Sequence, residues 1–192
     1  MLRVPDHLDG EQQGTGGPEQ QGGDGGGRKF LVTDERWRDG IVSRRRLTDG
    51  FVAQFAGGKV RVRLDDDRAW LTVKGERTGL SRAEFEYEIP REDARAMLTM
   101  VCDTCLIERT RHCVPYGGLT WEVNVYDGAL SGMVLAEVEL SNEDQAFEQP
   151  AWLGREVTQD PRFRQSTMLR LSREAGRDVT LAEIMEATMT HC

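Results

Sequence analysis

Between Val60 and Glu88 apolar and charged residues alternate three times in succession. Arg61 and Arg63 alternate with Val60, Val62 and Leu64; Thr72 and Lys74 alternate with Leu71 and Val73; Glu84, Glu86 and Glu88 alternate with Phe85, Tyr87 and Ile89. A period of two is that of a strand with one apolar and one charged side. One such strand would read as a solvated face. Three in a row, with Arg, Lys and Glu faces, predict a closed sheet with its apolar side against helices and a charged, wet interior. Arg and Lys there suit a polyanion, and Glu suits a divalent cation.

The rest of the pattern is read against those strands. Lys29 to Val32 predicts a first strand, followed by a short helix around Trp37 that Asp34 can cap. Arg44, Arg45 and Arg46 break the alternation, so Ile41 to Leu47 reads as a basic loop at the rim. Phe51 to Phe55 predicts a strand that turns at Gly57-Gly58. Val60 to Leu64 and Ala69 to Lys74 form a hairpin around Asp65-Asp66-Asp67, an exposed turn rather than a metal site. Gly75 and Gly79 delimit a loop, and Pro90 opens a helix with Leu98 and Val101 on its apolar face. Further strands are predicted at Leu106 to Cys113, with Arg109 and Arg111 on one face, at Leu119 to Tyr126, and at Met133 to Leu140, with Glu137 and Glu139 on one face. Pro150 to Leu153 and Glu156 to Thr158 read as packed irregular chain, Pro161 to Leu169 as a short helical piece, and 171–192 as one terminal helix.

Composition narrows this picture. The chain has 192 residues, 38% hydrophobic and 30% charged, with a formal net charge of -8. Residues 1–27 hold nine glycines and a net charge of -4, half of the total, so they are expected to be a disordered acidic tail before a domain over 28–170. The acidic balance argues against a nucleic-acid duplex as partner but leaves room for a local cationic cavity. No apolar run reaches the length of a membrane span, and the start lacks the apolar core of a signal peptide, so a cytoplasmic protein is expected. Cys102 and Cys105 form a C-x-x-C without a second pair; with Cys113 and Cys192 they read as free thiols. The four Trp read as packing groups, and Glu122 and Glu143 as solvent-facing. Whether the chain is a monomer or a homodimer is left open.

The ordered set R-K-F-L-V (28–32), V-R-V-R (60–63), L-T-V-K-G (71–75), S-R-A-E-F-E-Y-E-I-P (81–90), I-E-R-T-R (107–111), W-E-V-N-V-Y (121–126), V-L-A-E-V-E-L (134–140) and P-A-W-L-G-R-E-V-T (150–158) resembles the short bacterial branch of the CYTH superfamily, the triphosphate tunnel metalloenzymes. The resemblance implies a mainly β (α+β) fold, an eight-stranded antiparallel barrel or tunnel with flanking helices. It implies phosphate ligands at Lys29, Arg61, Arg63, Lys74, Arg109 and Arg111, with Arg82 at the tunnel mouth. Glu84, Glu86, Glu137 and Glu139 are the implied ligands of Mg²⁺ or Mn²⁺.

Two departures from the family pattern bear on function. The family opens with E-x-E-x-K; here the Lys is Lys29, and the Glu positions are Gly25 and Gly27. The family's Asp in W-E-V-D-V-F is Asn124. The cationic set is nearly complete and the acidic set lacks three carboxylates. The expected function is a weakened or altered metal-dependent phosphohydrolase acting on triphosphate, polyphosphate or a nucleoside triphosphate. The alternative is a non-catalytic polyanion- or nucleotide-binding module. An adenylate cyclase is disfavoured, because nothing in the chain supplies adenine contacts.

Overall fold

Alternation along the chain becomes one antiparallel sheet. The computed structural model describes residues 27–55, 57–78, 81–102, 106–142 and 144–188, and of 77, 78, 81 and 82 the backbone alone. The expected acidic tail therefore lies outside the described residues, apart from Gly27. The strands are β1 (Gly27–Val32), β2 (Ser43–Phe55), β3 (Gly58–Leu64), β4 (Ala69–Thr78), β5 (Ser81–Glu88), β6 (Ile107–Tyr116), β7 (Leu119–Asp127), β8 (Val134–Glu139) and β9 (Leu153–Glu156). They lie side by side in the order β5-β4-β3-β2-β6-β7-β8-β1-β9.

This order corrects the expected eight-stranded closed barrel: among the described residues the sheet has nine strands and is open, with β5 and β9 at its edges. A ring would need β1 to offer one edge to β8 and the other to β5. The second edge of β1 is taken by β9, through the pairs Phe30↔Glu156 and Val32↔Leu153. Flanking bonds extend the pairing: Val157 N–H donates to the Lys29 carbonyl at 2.8 Å, and Thr33 N–H to the Trp152 carbonyl at 3.0 Å. Backbone groups already paired have nothing left for a closing strand. The segment read as irregular chain around 150–158 thus contains the strand that keeps the sheet open.

Although open, the sheet curls. β5 and β8 stand six places apart in the strand order, about 29 Å on a flat sheet. Yet the Glu84 carboxylate on β5 helps push up the carboxyl of Glu139 on β8, and Glu137 on β8 acts on Arg63 of β3. Charges separated by the flat-sheet distance would be screened from one another. The charged side is therefore the concave one.

Helices and aromatic side chains cover the other surfaces. On the convex side α1 (Arg91–Met100) buries Ala94 and Leu98 against Val62 and Ala69. Further along the same side, Trp121 packs edge-on to Phe30 and Trp152, at ring-centre distances of 5.6 and 5.9 Å. At one end of the concave side the inward residues turn apolar: Phe51, Ile107, Tyr126 and Leu135. Phe163, Met168, Leu169 and Ile184 from the C-terminal segment cover them. The expected short helical piece at 161–169 and terminal helix over 171–192 divide at a different place: α2 (Gln165–Ala175) runs across both and ends at Gly176, whose φ of 66° is left-handed, and α3 (Leu181–Glu186) starts at a capping box between Thr180 and Glu183.

Two local readings also change. Ser43 to Arg46 belong to β2 rather than to a rim loop, since they pair with β6, with Arg45 opposite Arg111. Gly75 lies inside β4, where the ladder with β5 shifts register, rather than opening a loop.

Trp121 is fully buried and Phe85, on the edge strand β5, is 40% exposed. Trp121→Ala is expected to lower unfolding free energy by about 3–5 kcal/mol, and Phe85→Ala by much less. Urea unfolding of the two variants measures this, and equal losses would contradict the layer assignment.

Candidate anion-binding face

Register fixes which side chains meet on the concave side. Arg63 lies opposite Asp49 and Trp70, and Arg61 opposite Phe51 and Thr72. Lys74 lies opposite Glu84, and Thr72 opposite Glu86. Across the sheet Arg111 faces Asn124, and Lys29 faces Glu137. Strand partners share a face, so Lys29, Arg61, Arg63, Lys74, Arg109 and Arg111 all come to one surface. Arg82 lies two positions before Glu84 on β5, in register with Arg77; its side chain is outside the described residues.

The centre of that surface is a residue the sequence analysis did not single out. Asp49 on β2 is fully buried. Its carboxylate accepts from Arg63 Nε at 2.8 Å and Nη2 at 3.2 Å, and from Arg109 Nη1 at 2.7 Å. Arg61 Nη1 stands 3.9 Å away. Burial alone would raise the Asp49 pKa, but Arg63, Arg109 and Arg61 together hold it well below the ordinary carboxylate range. Burial and the neighbouring Arg63 push Arg61 down to about 10, which leaves it charged at neutral pH. Three guanidiniums around one carboxylate leave an excess of positive charge. Among the described residues Arg61 Nε and Arg109 Nη2 are buried without a partner, as is the Tyr126 hydroxyl at the apolar end of the face.

A second cluster adjoins the first. The buried Asn124 amide oxygen accepts from Arg109 Nε and Arg111 Nε, both at 3.1 Å, and its Nδ2 donates to Glu137 Oε2 at 3.1 Å. Glu137 also pairs with Lys29 Nζ at 3.0 Å and Arg111 Nη2 at 3.4 Å. Burial works against the Glu137 charge, but Lys29 and Arg111 outweigh it and bring its pKa down to about 2. Lys29 Nζ donates as well to the Phe163 carbonyl at 3.3 Å, which ties the face to the C-terminal segment. Glu122, read as solvent-facing, instead pairs with Arg111 Nη1 at 2.7 Å.

The remaining carboxylates are mostly committed. Glu84 pairs with Lys74 at 2.5 Å; Glu86 accepts from Thr72 at 2.9 Å and lies 3.7 Å from Arg61. Glu139 is the exception, with no ion pair among the described residues. Burial and the carboxylates of Glu137, Glu122 and Glu84 raise its pKa. Its side chain occupies the room beside Gly27, where an added Cβ would meet Glu139 Oε1 at 2.7 Å. Gly25 lies outside the described residues. Among the described residues no three His, Cys, Asp or Glu side chains converge to hold a metal ion. The donors present are hard oxygens, and the uncompensated negative charge at Glu139 fits a hard divalent cation.

His112 is on the convex side, its ring centre 5.1 Å from that of Trp37. Asp65 accepts from the backbone of Asp67 and Arg68, as a turn residue does. Asp49 carried one weak signal in the sequence: a lone acid at an alternating position between Leu47 and Phe51. Only strand pairing reveals which cations flank it.

The sequence profile of the CYTH domain matches residues 28–173. An inorganic triphosphatase of Acetivibrio thermocellus is 39% identical over 146 residues, covering 74% of this chain and 91% of that protein. An inorganic triphosphatase of Nitrosomonas europaea is 35% identical over 146 residues, covering 73% and 93%. A crystal structure of an inorganic triphosphatase superposes with a TM-score of 0.58 at 29% identity, over 74% of this chain and 92% of that one.

The Glu137 and Glu139 shifts have opposite signs, so their pH effects differ. A carboxyl whose folded pKa is lowered contributes stability that is present above its unfolded pKa and lost as pH falls through the folded value. For Glu137 that window runs from the ordinary 4.5 down to about 2. A carboxyl whose pKa is raised opposes folding while ionised and is relieved as pH falls. Glu137→Gln is therefore expected to be less stable at neutral pH, with a flatter acid limb. Glu139→Gln is expected to be at least as stable as the wild type at neutral pH. Urea midpoints against pH measure both; parallel curves for all three proteins would contradict the assignment.

Proposed function

The chain belongs to the CYTH domain family, and on that premise we propose that it is a phosphohydrolase of the triphosphatase type whose concave face binds inorganic triphosphate or a related polyphosphate. The observation that carries this reading is the pair of buried, unpartnered guanidinium donors, Arg61 Nε and Arg109 Nη2, on a face that also holds Lys29, Arg63, Lys74 and Arg111. Buried donors left without partners are costly, and a phosphate oxygen would satisfy them. The names of the two relatives favour triphosphate over other anions.

The ion pairs already present indicate how the face would take up its substrate. Lys74 and Lys29 are held by Glu84 and Glu137. An incoming phosphate competes for the ammonium groups, and the released carboxylates are then free for a cation. Glu137 and Glu139 would hold Mg²⁺ or Mn²⁺ as a pair of carboxylates, with substrate phosphate oxygens supplying further ligands. Such an ion, when bound, supplies charge neutralisation for the phosphoryl oxygens. The chain's own contribution is an array of fixed donors that bind the polyanion, orient it and stabilise charge developing on the leaving phosphate.

Turnover by this chain is proposed to be weak. Gly27 brings no carboxylate, and the Asn124 amide supplies Glu137 with a neutral donor at 3.1 Å. An acid in place of Asn124 would set two carboxylates against each other there, a repulsion that a divalent cation relieves. The same amide also favours the second reading, a binding module that retains the polyanion without hydrolysing it, because it satisfies Glu137 without metal.

Phosphate release from tripolyphosphate with Mg²⁺ or Mn²⁺ tests the proposal. The wild type is expected to turn over slowly. Gly27→Glu with Asn124→Asp is expected to raise the rate by about tenfold or more, with non-additive gains from the two positions. Tight tripolyphosphate binding with no release from any variant would move the assignment to the binding module. In calorimetry, Arg111→Gln is expected to weaken tripolyphosphate binding by about tenfold or more. No heat of binding from the wild type would reject both readings.

A further inference from the structure

Asp49 is acidic, fully buried and placed at the middle of a surface built to attract anions. On simple charge counting it is misplaced, because it cancels part of the field that draws in a polyanion. Its geometry gives it a different use. Arg109 spends Nε on Asn124 Oδ1 at 3.1 Å and Nη1 on Asp49 Oδ2 at 2.7 Å. Two fixed acceptors on different strands lock the guanidinium plane, and Nη2 remains as the free, buried donor. Arg63 is gripped at two nitrogens by the same carboxylate, at 2.8 and 3.2 Å. Arg61, 3.9 Å from Asp49, is steadied by Thr72 Oγ1 at 3.2 Å and keeps Nε free. One carboxylate on β2 thus reaches cations on both neighbouring strands, β3 and β6.

Without that carboxylate, three guanidiniums would repel one another across adjacent strands. Each would swing to its own preferred rotamer, since long side chains have many. The face would carry more charge and less order. Anion recognition by Arg depends on donors fixed in a fork, and misplacement of a binding group by about 1 Å can cost on the order of 100-fold.

We propose that Asp49 is a positioning residue, which orients the Arg61–Arg63–Arg109 triad so that Arg61 Nε and Arg109 Nη2 converge on the bound polyphosphate. The inference rests on the triphosphate-binding reading and adds a residue that acts through others. Its rival is that Asp49 only balances charge, and the two make opposite predictions. If charge alone counts, Asp49→Asn makes the face more positive and tightens anion binding. If positioning counts, the same variant binds more weakly.

Calorimetric titration of tripolyphosphate into the full-length wild type, Asp49→Asn, Arg109→Lys and the double variant decides between them, with circular dichroism to establish that each is folded. Asp49→Asn is expected to bind about tenfold or more weakly. Arg109→Lys keeps the charge but cannot bond Asp49, Asn124 and the anion in the same plane, so a similar loss is expected. Because Asp49 acts through Arg109, the double variant is expected to lose less than the sum of the single losses. Folded Asp49→Asn with unchanged or tighter binding overturns the proposal. If Asp49→Asn does not fold, Arg109→Lys carries the test: unchanged affinity overturns the proposal, and a loss of about tenfold or more supports it. Absence of binding by the wild type would instead refute the underlying functional reading.

Discussion

A carboxylate closed off from water and set among three guanidiniums is the interaction on which the concave face depends. Asp49 has no exposure, and ionising it there is tolerable only because Arg63 and Arg109 bond to it directly. The dependence runs both ways. Arg109 is itself buried, so each charge is kept in the interior by the other. Buried ion pairs seldom add much net stability, because desolvation consumes the Coulombic gain, yet removing one partner is severe. Such a cluster is better understood as fixing geometry than as a source of stability. It joins three adjacent strands at the middle of the sheet order.

Around that centre the chain solves an inverted packing problem. A sheet whose charged face is enclosed must find its apolar cover on the outside. Helix α1 and the aromatic group around Trp121 supply it on the convex side. The charges need walls as well, and curling provides them by bringing β8 towards β3 and β5. The C-terminal helices cover the end of the face where its side chains become apolar, and the bond from Lys29 to the Phe163 carbonyl joins that cover to the cationic array.

The acidic side shows how a lost carboxylate is accommodated. Asn124 occupies a position where an acid would face Glu137, and its amide provides acceptor and donor at once: oxygen to two arginines, nitrogen to Glu137. Every polar atom of that side chain is used. Gly27 is accommodated differently, by the Glu139 side chain lying in the space a larger residue would claim. Neither arrangement needs a cation to be stable, whereas converging carboxylates would.

Much of this was legible in the sequence, because a strand assigns faces by parity alone. Arg61 and Arg63, Lys74, Arg109 and Arg111, and Glu137 and Glu139 share a face by alternation before any fold is known, and the resemblance to the CYTH superfamily placed those strands in one domain. What parity cannot supply is pairing. That Asp49 lies between β3 and β6, and that Glu122 meets Arg111, follows from which strands become neighbours. The arginine run at 44–46 obscured the start of β2, since three like charges hide a period of two. Whether the sheet closes was decided further away still, by β9, a strand of four residues whose pattern is too short to read and whose pairing with β1 removes the edge a ring would require. Local periodicity is a property of the chain; edge occupancy and the partners of a buried charge exist only once distant segments have met.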